Sequence, residues 1–344
     1  MTGQYVHRQA VWRLVVDGVD IGAKIKPRLI SIDLSEKRGA DADELTIALA
    51  DQDGQLQIPR RGAVITLALG WRDLGSAAAS QLVEKGSFKV DETSHAGTPD
   101  VLTIRARSAD LTRAFRKRQA QSWSNTTLGA ILGEVAGRNG LQLKCSADKA
   151  AVALSHLAQS NESDAALIAR LGRTHDAVAT VKNGSLIFMA CGSGQSPGGQ
   201  PLGLATITRA DGDRHTWKQA ERGAYSGVIA EWHDRAGGER RKVVVGADDN
   251  AKKLARTFAS EATARRAADR EFKKLQRAAA EFSLTLARGR PDLFPEKSVT
   301  VSGWKPEIDA SGWLVTEVRH SLNGSGLTTT LQMELGGSGG GVTS

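Results

Sequence analysis

Short segments in which apolar and polar residues alternate recur at both ends of this chain. They fill residues 11–110, where Gly, Pro and Asp separate them, and the same texture returns over residues 204–335. Alternation with a period of two indicates strands with one buried face, and many short strands broken by turn residues are typical of a sandwich or barrel. We therefore predict two tandem β-barrel-like domains. The predicted strands are 11–17, 29–35, 45–50, 64–71, 86–90 and 102–107 in the first domain, and 228–232, 242–245, 282–287, 298–304, 313–320 and 328–335 in the second.

Between the two barrels the apolar spacing becomes helical. Residues 125–137 place Leu128, Ile131, Leu132 and Val135 at the spacing of one helix face, behind an Asn or Ser that can cap free amides. A second helix is predicted to begin at Ser163, whose hydroxyl can also cap, and to reach Gly172.

A β-hairpin should follow these helices. The pair Asn183-Gly184 separates two apolar runs, 177–182 and 185–190, and Asn-Gly is the preferred sequence of a two-residue type I′ turn. The middle of the chain is therefore predicted to be a small α+β insert.

These patterns divide the chain and give a fold class of α+β, mostly β. A Gly- and Pro-rich stretch is the strongest linker signal, and residues 250–281 are rich in Ala, Lys, Arg and Glu, with Leu254, Phe258, Phe272 and Leu275 near one stripe. That stripe predicts one long amphipathic surface helix. The predicted division is a first β-barrel domain at 1–108, the α+β insert at 109–191, a linker at 192–203, a second β-barrel domain at 204–336 that contains the long helix 250–281, and a flexible tail at 337–344.

The chain is basic, with a formal net charge of +8 over 344 residues. The excess lies in residues 113–118, 239–242 and 251–280, which raises the hypothesis of a nucleic-acid-binding face. No aromatic residues interleave with these basic runs to stack bases, so solvated helix faces and acidic protein neighbours are the favoured interpretation. No apolar run approaches the roughly 20 residues that span a bilayer, so no membrane anchor is predicted.

Candidate chemistry is sparse. The seven histidines include no pair at i, i+4 on a predicted helix, and Cys145 and Cys191 are far apart, so neither a metal site nor a disulfide is predicted. Asp51 and Asp53 resemble the start of a calcium loop, but the later ligands are missing, and we predict a turn. The histidines are His7, His95, His156, His175, His215, His233 and His320.

Two further patterns resemble parts of catalytic sites. His175-Asp176 and His233-Asp234 each join an imidazole to a carboxylate, but neighbours on a strand point to opposite faces. Residues 192–198 imitate a nucleophile elbow without the flanking strand and helix that such an elbow needs. We therefore predict no catalytic, cofactor-binding or metal-binding residues and no enzymatic activity.

The order of these features resembles the late control D proteins of contractile-tailed phages, which are related to tailocin hubs and to the hub part of type VI spike proteins. Each motif alone is a turn with a strand, but their order and spacing are specific, and they span nearly the whole chain. The matching residues are Val16–Asp20, Pro27–Ser31, Ala42–Ile47, Asp51–Gly54, Pro59, Gly62, Gly70-Trp71, Gly86–Glu92, Ser122-Trp123, Asn161–Asp164, Tyr225–Ala230, Trp232, Trp313–His320 and Gly326–Thr330.

The resemblance implies a structural baseplate hub of a phage tail or tailocin. In that family a homotrimeric ring presents six similar positions to the hexameric tail tube or a tube-initiator protein and stays threefold toward a trimeric spike. It also implies contacts with a tape-measure protein and a baseplate wedge, assembly in the bacterial cytoplasm, and no catalytic residues. Two alternatives remain open: a basic nucleic-acid-binding protein, which salt-dependent DNA retention would reveal, and a cell-wall hydrolase, which activity on purified wall would reveal.

Overall fold

A computed structural model describes residues 8–39, 42–74, 80–108, 113–219, 225–234 and 237–336. The tail predicted at 337–344 lies outside these residues. Most described residues lie in strands, and the fold is the predicted α+β class that is mostly β. No helix within these ranges is both long and apolar enough to cross a membrane.

The N-terminal part forms the first β unit, whose strands run in the order β2-β1-β5-β6-β7-β4-β3, all antiparallel. The six predicted strands are confirmed, each extended at one or both ends. The core lies on one face, where Leu14, Ile32, Leu34, Ile47 and Leu67 are fully buried. The elements are β1 Arg8–Val16, β2 Val19–Asp20, α1 Gly22–Ile25, β3 Leu29–Lys37, β4 Glu44–Ala50, β5 Val64–Asp73, β6 Gln81–Ala96 and β7 Val101–Ser108.

The middle part has its own core of two helices packed on short strands. The helix predicted from Ser163 is confirmed, since the Ser163 hydroxyl accepts the amide of Ala166 at 3.2 Å. The hairpin is confirmed too, with Asn183 and Gly184 both at left-handed φ, as type I′ requires. The elements are α2 Arg113–Arg116, β8 Arg118–Thr127, α3 Leu128–Arg138, β9 Gln142–Cys145, α4 Ala147–Ala150, β10 Ala153–Ser163, α5 Asp164–His175, β11 Ala177–Lys182 and β12 Ser185–Ala190.

The helix predicted over residues 125–137 begins later than expected. Residues 118–127 pair with β10 as strand β8, and Thr127 instead caps α3 by accepting the amide of Ala130. Asn125 takes a left-handed φ of 49° inside β8. The strand was missed because its sequence is polar, so it shows no apolar alternation.

The C-terminal part contains the second β unit, interrupted by a separate small sheet. The second unit's core includes Phe282, Leu284, Trp313, Val315 and Leu331. The elements are β13 Leu204–Thr208, β14 Gly212–Gln219, β15 Gly227–Asp234, β16 Glu239–Gly246, β17 Ala251–Phe258, α6 Glu261–Arg277, β18 Ala280–Leu286, β19 Ser298–Ser302, α7 Pro306–Asp309, β20 Trp313–Asn323 and β21 Gly326–Leu335.

Two predictions in this part are corrected. The strands predicted at 228–232 and 242–245 exist as β15 and β16, but they form a three-stranded sheet with β17 instead of joining the second β unit. That unit contains β13 and β14, which are not among the predicted strands.

The helix predicted over 250–281 is wrong at both ends. Its first part is β17, which pairs in parallel with β15, so that Leu254 and Phe258 pack on the small core that α6 also covers. The helix α6 starts after Ser260, whose hydroxyl accepts the amide of Thr263. The Ser260–Thr263 capping pair is the sequence signal for the true start of the helix. The residues before this pair have high helix propensity, but their pairing as β17 overrides it.

The two β units repeat one strand order. Each unit has six corresponding strands, which are β1, β3, β4, β5, β6 and β7 in the first unit and β13, β14, β18, β19, β20 and β21 in the second. When the strands of each unit are numbered in chain order, their order across the sheet is first, fourth, fifth, sixth, third, second in both units. The β-bulges also correspond: one follows Val90 and Val315 in the fifth strands, and another follows Leu29 and Gly212 in the second strands. Only the first strand differs in direction, since β1 is antiparallel to β5 and β13 is parallel to β19.

Candidate functional site: the junction of the two β units and their free strand edges

The two β units join into one sheet through antiparallel pairing of β3 with β20. Glu317 lies opposite Lys37 at one end of this pairing and Asn323 lies opposite Ser31 at the other. Side chains reinforce it, because the Ser321 hydroxyl donates to the Asp33 carboxylate at 2.7 Å. The junction is therefore a continuous hydrogen-bonded sheet, which fixes the position of one unit against the other.

A buried charged cluster lies beneath this junction. The ammonium of Lys85 is 2.5 Å from Oε2 of Glu36, and Nε2 of His320 is 3.4 Å from the same oxygen. Burial alone would raise the pKa of Glu36, but the contacts with His320 and Lys85 lower it to about 2. Burial lowers the pKa of His320, which leaves its ring neutral at neutral pH. The cluster is thus a Lys–Glu ion pair beside a neutral imidazole.

A second network connects both units to the insert. Arg38, which directly follows β3, donates to Glu334 at 2.6 Å and to Glu296 at 3.2 Å, and the Glu296 carboxylate accepts the amide of Gly192 at 2.6 Å. Arg277, at the end of α6, contacts both Glu334 and the insert's Asp176. Burial raises the pKa of Glu296, and the guanidinium of Arg38 opposes that rise. This network locks the insert against the junction.

The open strand edges within the described residues include one edge of β14 and part of one edge of β6. The second unit's β14 pairs only with β18, so one of its edges is unpaired. In the first unit, pairing of β6 with β5 stops at Lys89, while β6 continues to Ala96 against β7 alone. Unpaired backbone groups on such edges are ready to bind another strand.

The family model described as phage tail baseplate hub (GPD) matches residues 42–326. The chain belongs to this family. The probable baseplate hub proteins of Escherichia phages 186 and P2 are each 40% identical to it, over 94% of this chain and 92% of theirs. The predicted resemblance is confirmed.

Solved structures share the fold at low sequence identity. The 43 kDa tail protein of prophage MuSo2 from Shewanella oneidensis has a TM-score of 0.66 at 15% identity, over 94% of this chain and 98% of that one. The E. coli c3393 protein, a type VI secretion component, has a TM-score of 0.51 at 13% identity, over 89% and 73%. Its membership of the baseplate hub family makes the chain a structural component of the phage tail baseplate.

The two histidine–carboxylate pairs lie on different kinds of element. His175 ends helix α5 instead of lying on a strand, which corrects that expectation, and Asp176 is the left-handed cap that pairs with Arg277. Burial, together with Arg270, Lys149 and Arg266, lowers the pKa of His175 to about 4. His233 and Asp234 do lie on β15, where Asp234 pairs with Arg241.

The remaining candidates from the sequence are the turn at Asp51 and the two cysteines. The turn at Asp51 is confirmed, because its carbonyl accepts the amide of Gly54 at 2.9 Å and its carboxylate accepts that of Leu56. Cys145 and Cys191 are free thiols whose pKa values burial raises to about 11 and about 12. No group of three or more His, Cys, Asp or Glu side chains in the described ranges could hold a metal ion.

The Gly-rich stretch folds as a turn and does not form a strand-to-helix elbow. The amide of Ser196 donates to the carbonyl of Gln200 at 2.7 Å, and that of Leu202 donates to Gly194 at 2.8 Å. Ser196 therefore lacks the flanking elements that expose a nucleophile.

Many charges in the basic runs are already paired within the chain. Lys252 contacts Glu271, Lys253 contacts Glu231, and Lys242 contacts Asp248. Arg277 is buried in the network described above. These pairs reduce the positive charge that the same surface could offer to phosphates.

Proposed function

We propose that three copies of the hub protein form a closed ring at the tip of the tail, which adapts the hexameric tail tube to a trimeric spike. The observation that supports this proposal is the repeated strand order of the two β units. Three chains with two similar units each present six similar faces on one side of the ring. The ring as a whole keeps threefold symmetry, which matches a trimeric partner.

The repeat extends to individual residues. Val90 and Val315 precede equivalent bulges, and each is followed by the same pattern, in which a glutamate stands two positions later and a histidine three beyond it. These histidines, His95 and His320, have the same place in the fifth strand of each unit. Such correspondence supports similar outer surfaces on the two units, as a sixfold partner needs.

The proposed partners follow from the same geometry. The six similar faces would bind the hexameric tail tube or a tube-initiator protein, with the tape-measure protein and a baseplate wedge as further neighbours. The threefold face would bind the spike, and the fold shared with a type VI secretion component supports this assignment. The protein would assemble in the bacterial cytoplasm before it becomes part of the particle.

Native mass spectrometry of the purified protein, alone and mixed with the spike protein of the same phage, tests the proposal. We expect a stable trimer, or a monomer that becomes trimeric in the mixture and binds one spike trimer. A protein that stays monomeric in both conditions, or that forms dimers or tetramers, would contradict the ring. Protein denatured and refolded without spike is the matched control for assembly during expression.

A further inference from the structure

We propose that β14 of one copy adds to the open second half of β6 of the next copy, antiparallel and in the register that β3 and β20 have within one chain. This inference rests on the proposed ring and names its subunit contact. The open edge of β6 therefore binds a second copy of the same chain.

The strands proposed to pair between copies are equivalent to strands that pair within one chain. β3 and β14 are the second strands of their units, and β6 and β20 are the fifth. Within the chain, the second strand of the first unit pairs with the fifth strand of the second unit. The complementary pairing, of the second strand of the second unit with the fifth strand of the first, does not occur in the described chain, where one edge of β14 and the second half of one edge of β6 are unpaired.

The fifth strands of the two units change partner at the same place. Pairing of β20 with β19 stops at Leu314, and β3 occupies the same edge from Glu317 onward. Pairing of β6 with β5 stops at Lys89, and the edge beyond it is open. In both strands the pairing with the fourth strand ends at the equivalent bulge. The open part of β6 therefore corresponds to the edge of β20 that pairs with β3.

The bulges also fix the register between copies. Ile30 and Asp213 are the bulged residues of the second strands, which makes Ser35 equivalent to Lys218 and Leu34 equivalent to Trp217. The bulges of the fifth strands make Arg319 equivalent to Ser94. Because Arg319 lies opposite Ser35 within the chain, the predicted pairs between copies are Thr93 with Gln219, Ser94 with Lys218, His95 with Trp217 and Ala96 with Thr216.

The side chains fit this register. Leu34 and His320, at 0% and 1% exposure, face each other inside the junction. Of their counterparts, Trp217 is half-buried and His95 is exposed in the single chain, so pairing would cover both side chains. On the other face, Lys218 comes within diagonal reach of Glu92, an exposed carboxylate.

Cysteine cross-linking tests the register. Each chain would contain Ser94→Cys with Lys218→Cys, or Thr93→Cys with Gln219→Cys, because one of two adjacent antiparallel pairs has the shorter Cα separation that favours a disulfide. Each chain then provides both halves of the contact. We expect oxidation to give covalent dimers and trimers, no larger species, and reversal by a reductant.

The matched control is Ser94→Cys with Arg214→Cys, whose second cysteine lies about 13 Å further along the strand. It should give less than a tenth of the cross-linked product. The parent chain, which keeps Cys145 and Cys191, sets the background. Hydrogen exchange on the unsubstituted protein gives a second measurement. In residues 91–96 and 212–219, the amides that point away from β7 and β18 should become protected only in the trimer.

The outcomes separate this inference from the proposed ring. A trimer by mass that cross-links at a matched pair and protects both edges supports the strand contact. A trimer that gives neither result, or that cross-links equally in the control, overturns the strand contact and leaves the ring. A protein that is monomeric alone and with the spike overturns both.

Discussion

Gly62 and Glu296 occupy the same position in the two β units. Each lies two residues before its unit's fourth strand at a left-handed φ, 82° for Gly62 and 74° for Glu296. Each donates its amide at 2.8 Å to the valine carbonyl at the equivalent bulge, that of Val90 or Val315. Glycine adopts this backbone without steric cost, whereas Glu296 is held there by Arg38 and Gly192.

Replacing Gly62 with alanine should destabilise the protein by about 1–2 kcal/mol, because an L-residue at this φ is strained. The added Cβ would also come within 3.2 Å of the Lys89 side chain, which can move. Urea denaturation followed by circular dichroism measures the change. Gly137→Ala is the control, since it lies in helix α3 with open space around it and should be neutral or slightly stabilising. Equal effects of the two changes would show that the left-handed φ at residue 62 does not strain an L-residue.

Arg277→Met should destabilise the protein by about 3 kcal/mol, since it leaves Asp176 and Glu334 without their shared cation in a buried setting. The loss should loosen the insert from the second β unit, and limited proteolysis between residues 190 and 204 should quicken. The control is Arg265→Met, which removes an exposed pair with Glu261 and should change the free energy of unfolding by less than about 0.5 kcal/mol. Similar values for the two variants would show that the network is not a structural lock.

His175 should make the protein less stable in mild acid. Its folded pKa of about 4 lies below the ordinary 6.5, so the unfolded chain binds the extra proton between these values. Stability that is present above pH 6.5 is therefore lost as the pH falls toward 4, by up to about 3 kcal/mol. Urea midpoints between pH 7.5 and 4.5 measure this slope. His175→Gln should flatten it, whereas His233→Gln, which changes an exposed ring, should leave it as in the parent.

Sequence patterns predicted the elements with strong local signals. The Asn183-Gly184 hairpin and the helix behind Ser163 were predicted because a turn sequence and a cap act over a few residues. The junction was not predicted, since the pairing of Ser31 with Asn323 joins residues that no local pattern connects. Strand β14 was also missed, because His215 and Trp217 are the residues that face the core in an otherwise polar segment.

The buried ion pair at the junction should be replaceable as a pair but not singly. Lys85→Met leaves the Glu36 charge buried beside His320 and should cost about 3–5 kcal/mol, whereas Lys85→Met with Glu36→Gln should recover most of that loss. Because the Lys85 charge lowers the pKa of His320 and Glu36 raises it, the single variant should also raise this pKa, which NMR of the imidazole protons reports. A double variant no more stable than Lys85→Met, with an unchanged His320 titration, would contradict the described cluster. Lys89→Met, on the same strand but outside the cluster, is the matched control and should leave both the stability and the titration unchanged.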